Sequence, residues 1–176
     1  MFKGNKTYHI NSVEPIEVFY NLRTDLDKLK YSVHINKIIL DVTNENQNSY
    51  NILQLLLNTL YTISETDKDL EFILSIFKMR ILCILGFTPR VPECVNCKEK
   101  ENIQYFSIKD NGFKCRECGR LDKSAIQISE STKNAIKYVI TAPAKKIYSF
   151  SLKDDSLTEF KLLTKIYFNE KLEKNY

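Results

Sequence analysis

The sequence predicts a mostly α-helical protein, a helical bundle that carries a small inserted module with four cysteines and a β-hairpin. Long stretches repeat apolar residues at intervals of three and four, which is the spacing of one face of a helix. Glycine and proline number only four each among 176 residues, too few for a loop-rich or all-β chain. Four of the five cysteines fall in two Cys-x-x-Cys pairs that bracket a segment rich in strand-forming residues.

Composition limits the class of protein without naming a partner. Hydrophobic residues make up 43% of the chain, which is enough to build a core. The sequence contains no run of eighteen apolar residues, so it predicts no membrane-spanning helix. The first residues show no targeting segment, which predicts a cytoplasmic protein. The formal net charge of +4 is too small to predict nucleic-acid binding by itself.

Residues 1–12 are expected to form a single extended strand, because they include threonine, tyrosine and isoleucine. From about Val13 to Val42 the pattern is helical. One stripe of this region is expected to face the core, and it comprises Leu22, Leu26, Leu29 and Val33. His34 lies beside the stripe and is expected to be a partly exposed helix residue rather than a metal ligand.

The stretch from Tyr50 to Ile63 is apolar nearly all round, which predicts a buried helix. A capping signal at residues 64–67 precedes a longer helix that is expected to reach about Leu85. Two apolar stripes run along this second helix, so it is expected to be the central helix of the bundle. The first stripe comprises Leu70, Leu74, Phe77, Ile81 and Leu85, and the second comprises Phe72, Ile76, Met79 and Cys83. Gly86 should end the helix, and Cys83 is expected to be a small buried hydrophobic residue.

Residues 103–114, between the cysteine pairs, predict a β-hairpin. Its first strand is expected at Tyr105–Ile108, and Phe113 begins the return strand. Asn111-Gly112 is typical of a type I′ turn, which needs a positive φ at both positions.

Two further helices are expected after the module. Ser129 and Ser131 are expected to cap a helix that ends near Ile140. The last helix is expected from about Ser156 toward the C-terminus. Its apolar face comprises Leu157, Phe160, Leu163 and Tyr167.

The two cysteine pairs predict a metal site. Cys94-x-x-Cys97 and Cys115-x-x-Cys118 are separated by seventeen residues, and pairs at this spacing are the signature of structural zinc. Two residues between thiolates let one tight turn aim both sulfurs at one metal. A disulfide framework is the weaker alternative, since a cytoplasmic chain keeps its thiols reduced. We therefore predict one structural Zn²⁺ with four ligands, Cys94, Cys97, Cys115 and Cys118.

Nothing in the sequence predicts an enzyme. Catalytic zinc keeps one coordination position open for water, whereas four thiolates fill all four positions, which disfavours a zinc hydrolase. The chain has no glycine-rich phosphate loop and no constellation of nucleophile and base. Both histidines, His9 and His34, lie far from the cysteines in sequence.

The stretch from Phe77 to Cys118 resembles the zinc-bearing branch of the bacterial RecO family of DNA repair proteins. The resembling features, in order, are a helix ending in Leu85-Gly86-Phe87-Thr88-Pro89, the first cysteine pair, Phe106-Ser107, Gly112 and the second cysteine pair. Upstream, the run Tyr20-Asn21-Leu22-Arg23-Thr24-Asp25-Leu26 is similar to the first helix of the family.

This resemblance implies a helical domain with a zinc ribbon, from a non-enzymatic recombination mediator of the RecF pathway. Such a protein is expected to bind single- and double-stranded DNA, RecR and the C-terminal tail of single-strand-binding protein. It is expected to be cytoplasmic and to associate with the nucleoid during repair. The resemblance also implies three regions: 1–12 as the last strand of an otherwise missing OB-fold domain, 13–90 with 121–176 as the bundle, and 91–120 as the zinc-ribbon insertion.

Two functional alternatives stay open. One is a stand-alone zinc-ribbon protein that binds nucleic acid directly, with Tyr105 and Phe106 stacking on bases. The other is a truncated remnant that acts only as a protein-interaction module, with a groove on the bundle for the acidic tail of single-strand-binding protein. Lys78 and Arg80 are candidate contacts for such a tail.

Overall fold

A computed structural model describes residues 2–3, 8–44 and 49–174. The helices of this part are α1 (Asn21–Thr24), α2 (Leu26–Val42), α3 (Tyr50–Glu65), α4 (Leu70–Ile84), α5 (Arg116–Arg120), α6 (Glu130–Thr141) and α7 (Asp154–Leu172). The strands are β1 (Phe2–Lys3), β2 (Tyr8–His9), β3 (Ile103–Ser107), β4 (Gly112–Cys115) and β5 (Ala125–Gln127). The predicted fold class, mostly helical with a small sheet, is confirmed. Within these ranges, no helix combines the length and the apolar character needed to cross a membrane.

α4 is the central helix, as predicted, and packs against α2, α3, α6 and α7. Ten of its fifteen residues are buried. The helix begins slightly later than the sequence indicates, because the Asp69 side chain caps it and accepts a hydrogen bond from the Phe72 N–H at 2.7 Å. Gly86 ends the helix with a φ of 95°, and its N–H donates to the Cys83 carbonyl.

α2 and α3 form an antiparallel pair beside α4. The Lys28 Nζ, near the start of α2, donates to the carbonyls of Ser64 and Thr66 at the end of α3, at 3.1 and 3.3 Å. The side of α2 that meets the bundle buries Ser32, Ile35 and Ile38.

The predicted core stripe of this region is wrong for α2. Leu26, Leu29 and Val33 are 81%, 41% and 60% exposed, and only Leu22 is buried. Asp25 has an extended backbone and separates α1 from α2, so Leu22 does not share a helix with the other three. Because α2 is apolar on two opposite sides, its periodicity alone does not determine which side meets the bundle.

The prediction that α3 is buried all round is wrong on one side. Ile52, Leu55 and Ile63 lie in the core, whereas the opposite side of the helix is exposed. The exposed residues are Tyr50, Leu53, Leu57 and Tyr61. Neighbouring elements of the described chain therefore cover only one side of this helix.

α6 and α7 complete the helical core against α4. The apolar face predicted for α7 is confirmed, since it buries Phe160, Leu163 and Tyr167. Of the two predicted caps of α6, only Ser129 serves, because its Oγ accepts a hydrogen bond from the Thr132 N–H at 3.2 Å.

β3 is the middle strand of a three-stranded sheet, with β4 and β5 antiparallel on its two sides. The sequence predicts the β3–β4 hairpin but not β5, because three residues are too few to show a strand pattern. β5 extends the sheet past residue 120, where the sequence places the end of the zinc ribbon.

The connection between β3 and β4 differs from the predicted type I′ turn. Ser107 pairs with Gly112, so the loop consists of residues 108–111 rather than two residues. Of the Asn111-Gly112 pair, only Asn111 has a positive φ, of 55°. Glycine is needed at position 112 for close approach instead, since an added Cβ would collide with the Arg90 carbonyl oxygen and the Val95 side chain.

Replacing Gly112 with alanine is expected to lower the free energy of unfolding by about 1–3 kcal/mol, the range for forcing atoms into a packed site. Gly86→Ala is the matched comparison, because its Cβ would meet nothing within 4 Å and only the positive φ is unfavourable. Asparagine tolerates a positive φ, so it should recover part of the loss at position 86 and none at position 112. Urea denaturation of the four variants measures this, and a Gly112→Asn variant as stable as the parent would contradict the packing role.

At the start of the chain, β1 and β2 pair with each other in a two-residue antiparallel ladder. This differs from the single strand expected for residues 1–12, because the chain pairs back on itself. Residues 1 and 4–7 of that region lie outside the described residues. The OB-fold assignment of residues 1–12 stays a prediction.

Candidate metal centre and helical groove

The structure brings the four predicted cysteines together. Cys94 and Cys97 lie in the turn before β3, Cys115 ends β4, and Cys118 lies in α5. Their sulfur atoms all lie within 4.8 Å of one another, and the Cys97 and Cys115 sulfurs are 3.6 Å apart. Tetrahedral coordination with metal–sulfur bonds of about 2.3 Å needs sulfur–sulfur distances of about 3.8 Å. The cluster can therefore hold one metal ion.

Backbone hydrogen bonds position the first cysteine pair. The Lys98 N–H donates to the Cys94 carbonyl at 3.0 Å, and the Cys94 N–H donates to the Glu99 carbonyl at 2.7 Å. The Val95 N–H donates to the Phe113 carbonyl of β4 at 2.8 Å. These bonds tie the turn to the strand that leads into the second cysteine pair.

The clustered sulfurs have opposite pKa shifts. Burial raises the pKa of Cys94, but N–H groups of Cys97, Cys115 and Asn96 outweigh it and lower this pKa to about 6. Burial and hydrogen bonds with the neighbouring sulfurs raise the pKa of Cys118 to about 12. Ionisation of one thiol thus opposes ionisation of the next, and a bound cation would remove that repulsion.

A buried ionic cluster attaches β5 to the hairpin. Lys114 of β4 is 3% exposed, and its Nζ lies 2.5 Å from Asp110 Oδ2 and 2.8 Å from Asp122 Oδ2. The Ser107 Oγ donates to Asp122 Oδ2 at 2.5 Å. Burial opposes ionisation of Asp122, but the bonds from Lys114 and Ser107 hold its pKa well below its usual range. Asp122 lies just before β5, so the cluster fixes the path of the chain into that strand.

Aromatic side chains join the four-cysteine module to the bundle. Phe106 of β3 is fully buried, and its ring centroid lies 6.1 Å from that of Phe113 and 5.1 Å from that of Tyr167 in α7. The Tyr167 hydroxyl donates to the Phe87 carbonyl, in the linker after α4, at 2.8 Å. Module and bundle therefore share one core.

Of the two rings suggested to stack on bases, Tyr105 and Phe106, the packing excludes Phe106. Phe106 is fully buried between the module and the bundle. The Tyr105 ring lies against Gly119, where an added Cβ would collide with it. The stacking hypothesis is therefore wrong for Phe106, whereas Tyr105 is half-buried and its stacking role stays a prediction.

A groove between α2, α4 and α7, called the helical groove below, is the second candidate site. Its volume is about 360 Å³. The lining residues are Lys30, Tyr31, His34, Glu71, Leu74, Lys78 and Lys165. Three lysines and one glutamate line it, so the groove favours an anionic ligand, and Leu74 adds apolar surface.

Lys78 is the buried cation of this groove. It is 3% exposed, and its Nζ lies 5.4 Å from the centroid of the Phe168 ring. No carboxylate of the described ranges forms an ion pair with it. Burial lowers the pKa of Lys78, and Lys165 adds to this effect while Glu71 opposes it. An anionic group from a ligand would stabilise this charge.

Tyr31 and His34, which line the groove beside Lys78, are less able to bind an anionic group of a ligand. The Tyr31 hydroxyl donates to Glu71 Oε2 at 2.9 Å, and burial together with this bond raises the pKa of Tyr31 to about 12. His34 is half-buried in α2, as expected from the sequence. Burial and the charge of Lys78 lower the pKa of His34, which favours the neutral form of this imidazole.

Arg80, the other suggested tail contact, lies away from the helical groove. Its Nη1 donates to the carbonyls of Val139 and Ile140, near the end of α6, at 2.9 and 2.6 Å. With Cys83 it lines a separate cavity of about 290 Å³. Cys83 is half-buried rather than buried, and burial raises the pKa of its thiol.

Comparison with known proteins relates the chain to one family. The family described as "Recombination protein O C terminal" matches residues 23–176. The DNA repair protein RecO of Acetivibrio thermocellus is 38% identical over 177 residues, which cover 100% of this chain and 70% of the relative. The RecO protein of Alkaliphilus metalliredigens is 32% identical over 84% of this chain and 60% of its own length. The RecO protein of Bacillus subtilis is 26% identical over 96% of this chain and 67% of its own length. This chain thus spans 60–70% of the length of these three proteins.

Proposed function

Because this chain belongs to the Recombination protein O family, we propose that it is a non-catalytic recombination mediator module of the RecF pathway of DNA repair. Support comes from the match over residues 23–176 and from the two candidate sites, which are a closed metal centre and a basic groove. We place the protein in the cytoplasm and on the nucleoid during repair. Its partners are proposed to be single-strand-binding protein, RecR and DNA.

Zn²⁺ is the proposed ion of the four-cysteine cluster, with Cys94, Cys97, Cys115 and Cys118 as its ligands. The sulfur distances suit tetrahedral coordination, and four thiolates are a common ligand set of structural zinc. Such an ion supplies charge neutralisation and a cross-link between the turn, β4 and α5. It leaves no open position for a substrate.

The helical groove is proposed to bind the acidic, aromatic-tipped C-terminal tail of single-strand-binding protein. The observation that carries this proposal is Lys78, a buried cation that lacks an ion pair among the described residues. Lys30 and Lys165 are exposed at the rim of the groove and attract an acidic segment. Leu74 and Tyr31 offer apolar surface to an aromatic side chain.

Lys78→Met is expected to weaken tail binding by about tenfold or more, because a hydrogen bond to a charged group contributes about 1.5–3 kcal/mol. Methionine keeps the apolar volume and removes a buried charge, so the fold should be at least as stable as the parent. Fluorescence anisotropy with a labelled tail peptide measures the affinity, and thermal unfolding checks the fold. Lys109→Ala, at an exposed position of the hairpin loop, is the control and should bind like the parent.

An unchanged affinity in Lys78→Met would contradict the groove assignment. So would an equal loss in Lys109→Ala, because non-specific attraction between opposite charges would then explain the binding. Absence of saturable, salt-sensitive binding by the parent chain would contradict the tail as the ligand.

Direct nucleic-acid binding by the four-cysteine module is the second candidate function. The module exposes Lys109, Arg116, Arg120 and Lys123, none of which forms an ion pair within the described chain. A filter-binding series at increasing salt tests this function, since phosphate contacts give a steep salt dependence. A flat dependence would leave the helical groove as the proposed working surface.

A further inference from the structure

A cavity opens directly onto the four-cysteine cluster, and we call it the cysteine cavity. Its volume is about 300 Å³. The lining residues are Cys97, Glu99, Asn102, Gln104, Cys115, Arg116 and Glu117. Since a water molecule occupies about 30 Å³ of the liquid, this space admits water and small solutes. Two of the four cysteines are therefore within reach of a small reagent.

The two cysteines that line the cavity differ in exposure. Cys97 is exposed, whereas Cys115, at the end of β4, is only 5% exposed. Their sulfur atoms are 3.6 Å apart. Both sulfurs are thiolates when a metal is bound, because a coordinating thiol is deprotonated, and the thiolate is the form that reacts. An accessible thiolate beside a second cysteine that can close a disulfide is the arrangement of redox-sensitive cysteines.

The charges around the cysteine cavity favour an uncharged oxidant. Glu99 and Glu117 line it together with a single cation, Arg116. Four thiolates outnumber the two charges of Zn²⁺, so the metal-loaded cluster is negative as well. The cavity therefore repels anionic oxidants such as peroxynitrite or glutathione disulfide. Hydrogen peroxide is small and uncharged, and it fits both the size and the charge of this space.

We propose that Cys97 is a site of oxidation by hydrogen peroxide and that Cys115 closes a disulfide with it; the inference rests on the proposed zinc site. The Cys97 thiolate attacks one peroxide oxygen, the O–O bond breaks and hydroxide leaves, so that Cys97 becomes a sulfenic acid. The Cys115 thiolate then attacks the Cys97 sulfur, the S–S bond forms and a second hydroxide leaves. One peroxide is thereby reduced to two hydroxide ions while two thiolates are oxidised to one disulfide.

The disulfide removes two of the four metal ligands, so the zinc is released. The oxidised module then lacks the cross-link that joins the turn, β4 and α5. Because Phe106 of the module packs on Tyr167 of α7, this loss also reaches the bundle. The oxidised chain is expected to unfold at a lower temperature than the zinc-loaded chain.

Treatment of the zinc-loaded parent chain with hydrogen peroxide tests the proposal without substitutions. A zinc indicator follows release of the ion, and alkylation of the remaining thiols followed by peptide mass mapping identifies the oxidised cysteines. We expect about one zinc ion released for each disulfide formed, with Cys97–Cys115 as the first disulfide. Cys83 is the internal comparison, because it is half-buried in α4 outside the cluster, and it should stay reduced. Dithiothreitol with added zinc should restore the metal.

A matched pair of substitutions tests the role of the cavity. Gln104 is half-buried on β3 and lines the cavity. The Gln104→Trp indole would fill this space without removing a ligand, so zinc release by peroxide should be slower by about tenfold or more. Gln127→Trp is the control, because Gln127 is exposed on β5 and does not line the cavity, and it should release zinc at the rate of the parent. Zinc content and thermal unfolding check that both variants fold.

Oxidation of Cys83 as fast as that of Cys97 would overturn the proposal, and so would a first disulfide between another pair of cysteines. Release at the parent rate from a zinc-loaded Gln104→Trp chain would also overturn it. If Gln104→Trp loses its zinc, the mapping of the parent decides the proposal alone. A parent chain without zinc before peroxide is added would contradict the zinc assignment and this inference with it, whereas the other outcomes contradict the inference only.

Discussion

Replacing Cys115 with serine is expected to remove the metal and unfold the four-cysteine module. Structural zinc contributes about 10–16 kcal/mol of apparent binding free energy, which is comparable to the whole stability of a domain. Cys115 is nearly buried at the end of β4, so the lost ligand also leaves a polar hydroxyl in the core. We expect metal content by atomic emission to fall from about one zinc per chain to a small fraction of that.

Cys83→Ser is the matched control for this experiment, because Cys83 lies in α4 outside the cluster. This variant should keep its zinc and its far-ultraviolet spectrum. Full zinc content in Cys115→Ser would contradict the four-thiolate site. Readily exchangeable zinc accompanied by hydrolytic turnover in the parent would contradict a structural role for the ion.

Replacing Phe106 with alanine is expected to lower the free energy of unfolding by about 3–5 kcal/mol, the range for removing a fully buried aromatic side chain. Phe106 is in contact with Phe113 on the module and with Tyr167 on α7, so the cavity would lie where module and bundle meet. Urea denaturation followed by circular dichroism measures the loss. Zinc content should stay near one per chain, because Phe106 is not a ligand.

Tyr61→Ala is the control for the loss of an aromatic ring, because Tyr61 is exposed on α3. Its effect on this chain should be below about 0.5 kcal/mol, as for other surface positions. Two separate unfolding transitions in the parent, of which Phe106→Ala shifts only one, would show that module and bundle do not share a core.

The sequence predicts local features of this protein well, because their physical causes are local. Cysteine spacing predicts the cluster, since a two-residue turn can aim two sulfurs at one point. Gly86 predicts the end of α4, since a left-handed residue ends a helix. The two stripes of α4 predict a central helix because both are needed to meet neighbours on different sides.

Features that depend on distant neighbours were less accessible to sequence reasoning. α2 is apolar on two sides, and its periodicity does not state which side the bundle covers. The glycine of Asn111-Gly112 is required by the distant Arg90 carbonyl rather than by its own turn. The ion pair between Asp122 and Lys114 helps to hold β5 in the sheet. In the sequence these two residues look like ordinary solvent-exposed charges.

The place and lining of the helical groove could not be predicted for the same reason, although a groove on the bundle with Lys78 as a candidate contact was one of the open hypotheses. Its residues come from three helices that are far apart in sequence. Lys78 and Arg80 are two positions apart in sequence. Lys78 lines the groove, whereas Arg80 donates a hydrogen bond to the Val139 carbonyl near the end of α6. The signal that marks Lys78 in sequence is its position between Phe77 and Met79, which belong to the two apolar stripes of α4, because lysine is seldom fully buried unless it is paired.

The central claim is that the four-cysteine module is a structural element and that the bundle binds the partner. Titration of the zinc-loaded, ¹⁵N-labelled chain with the acidic tail peptide, followed by amide chemical shifts, tests this claim most directly. We expect saturable shifts at α2 and α4 around Tyr31 and Lys78 and at α7 around Lys165, with little change at residues 91–127. Shifts confined to residues 91–127, or no saturable shifts at all, would contradict it.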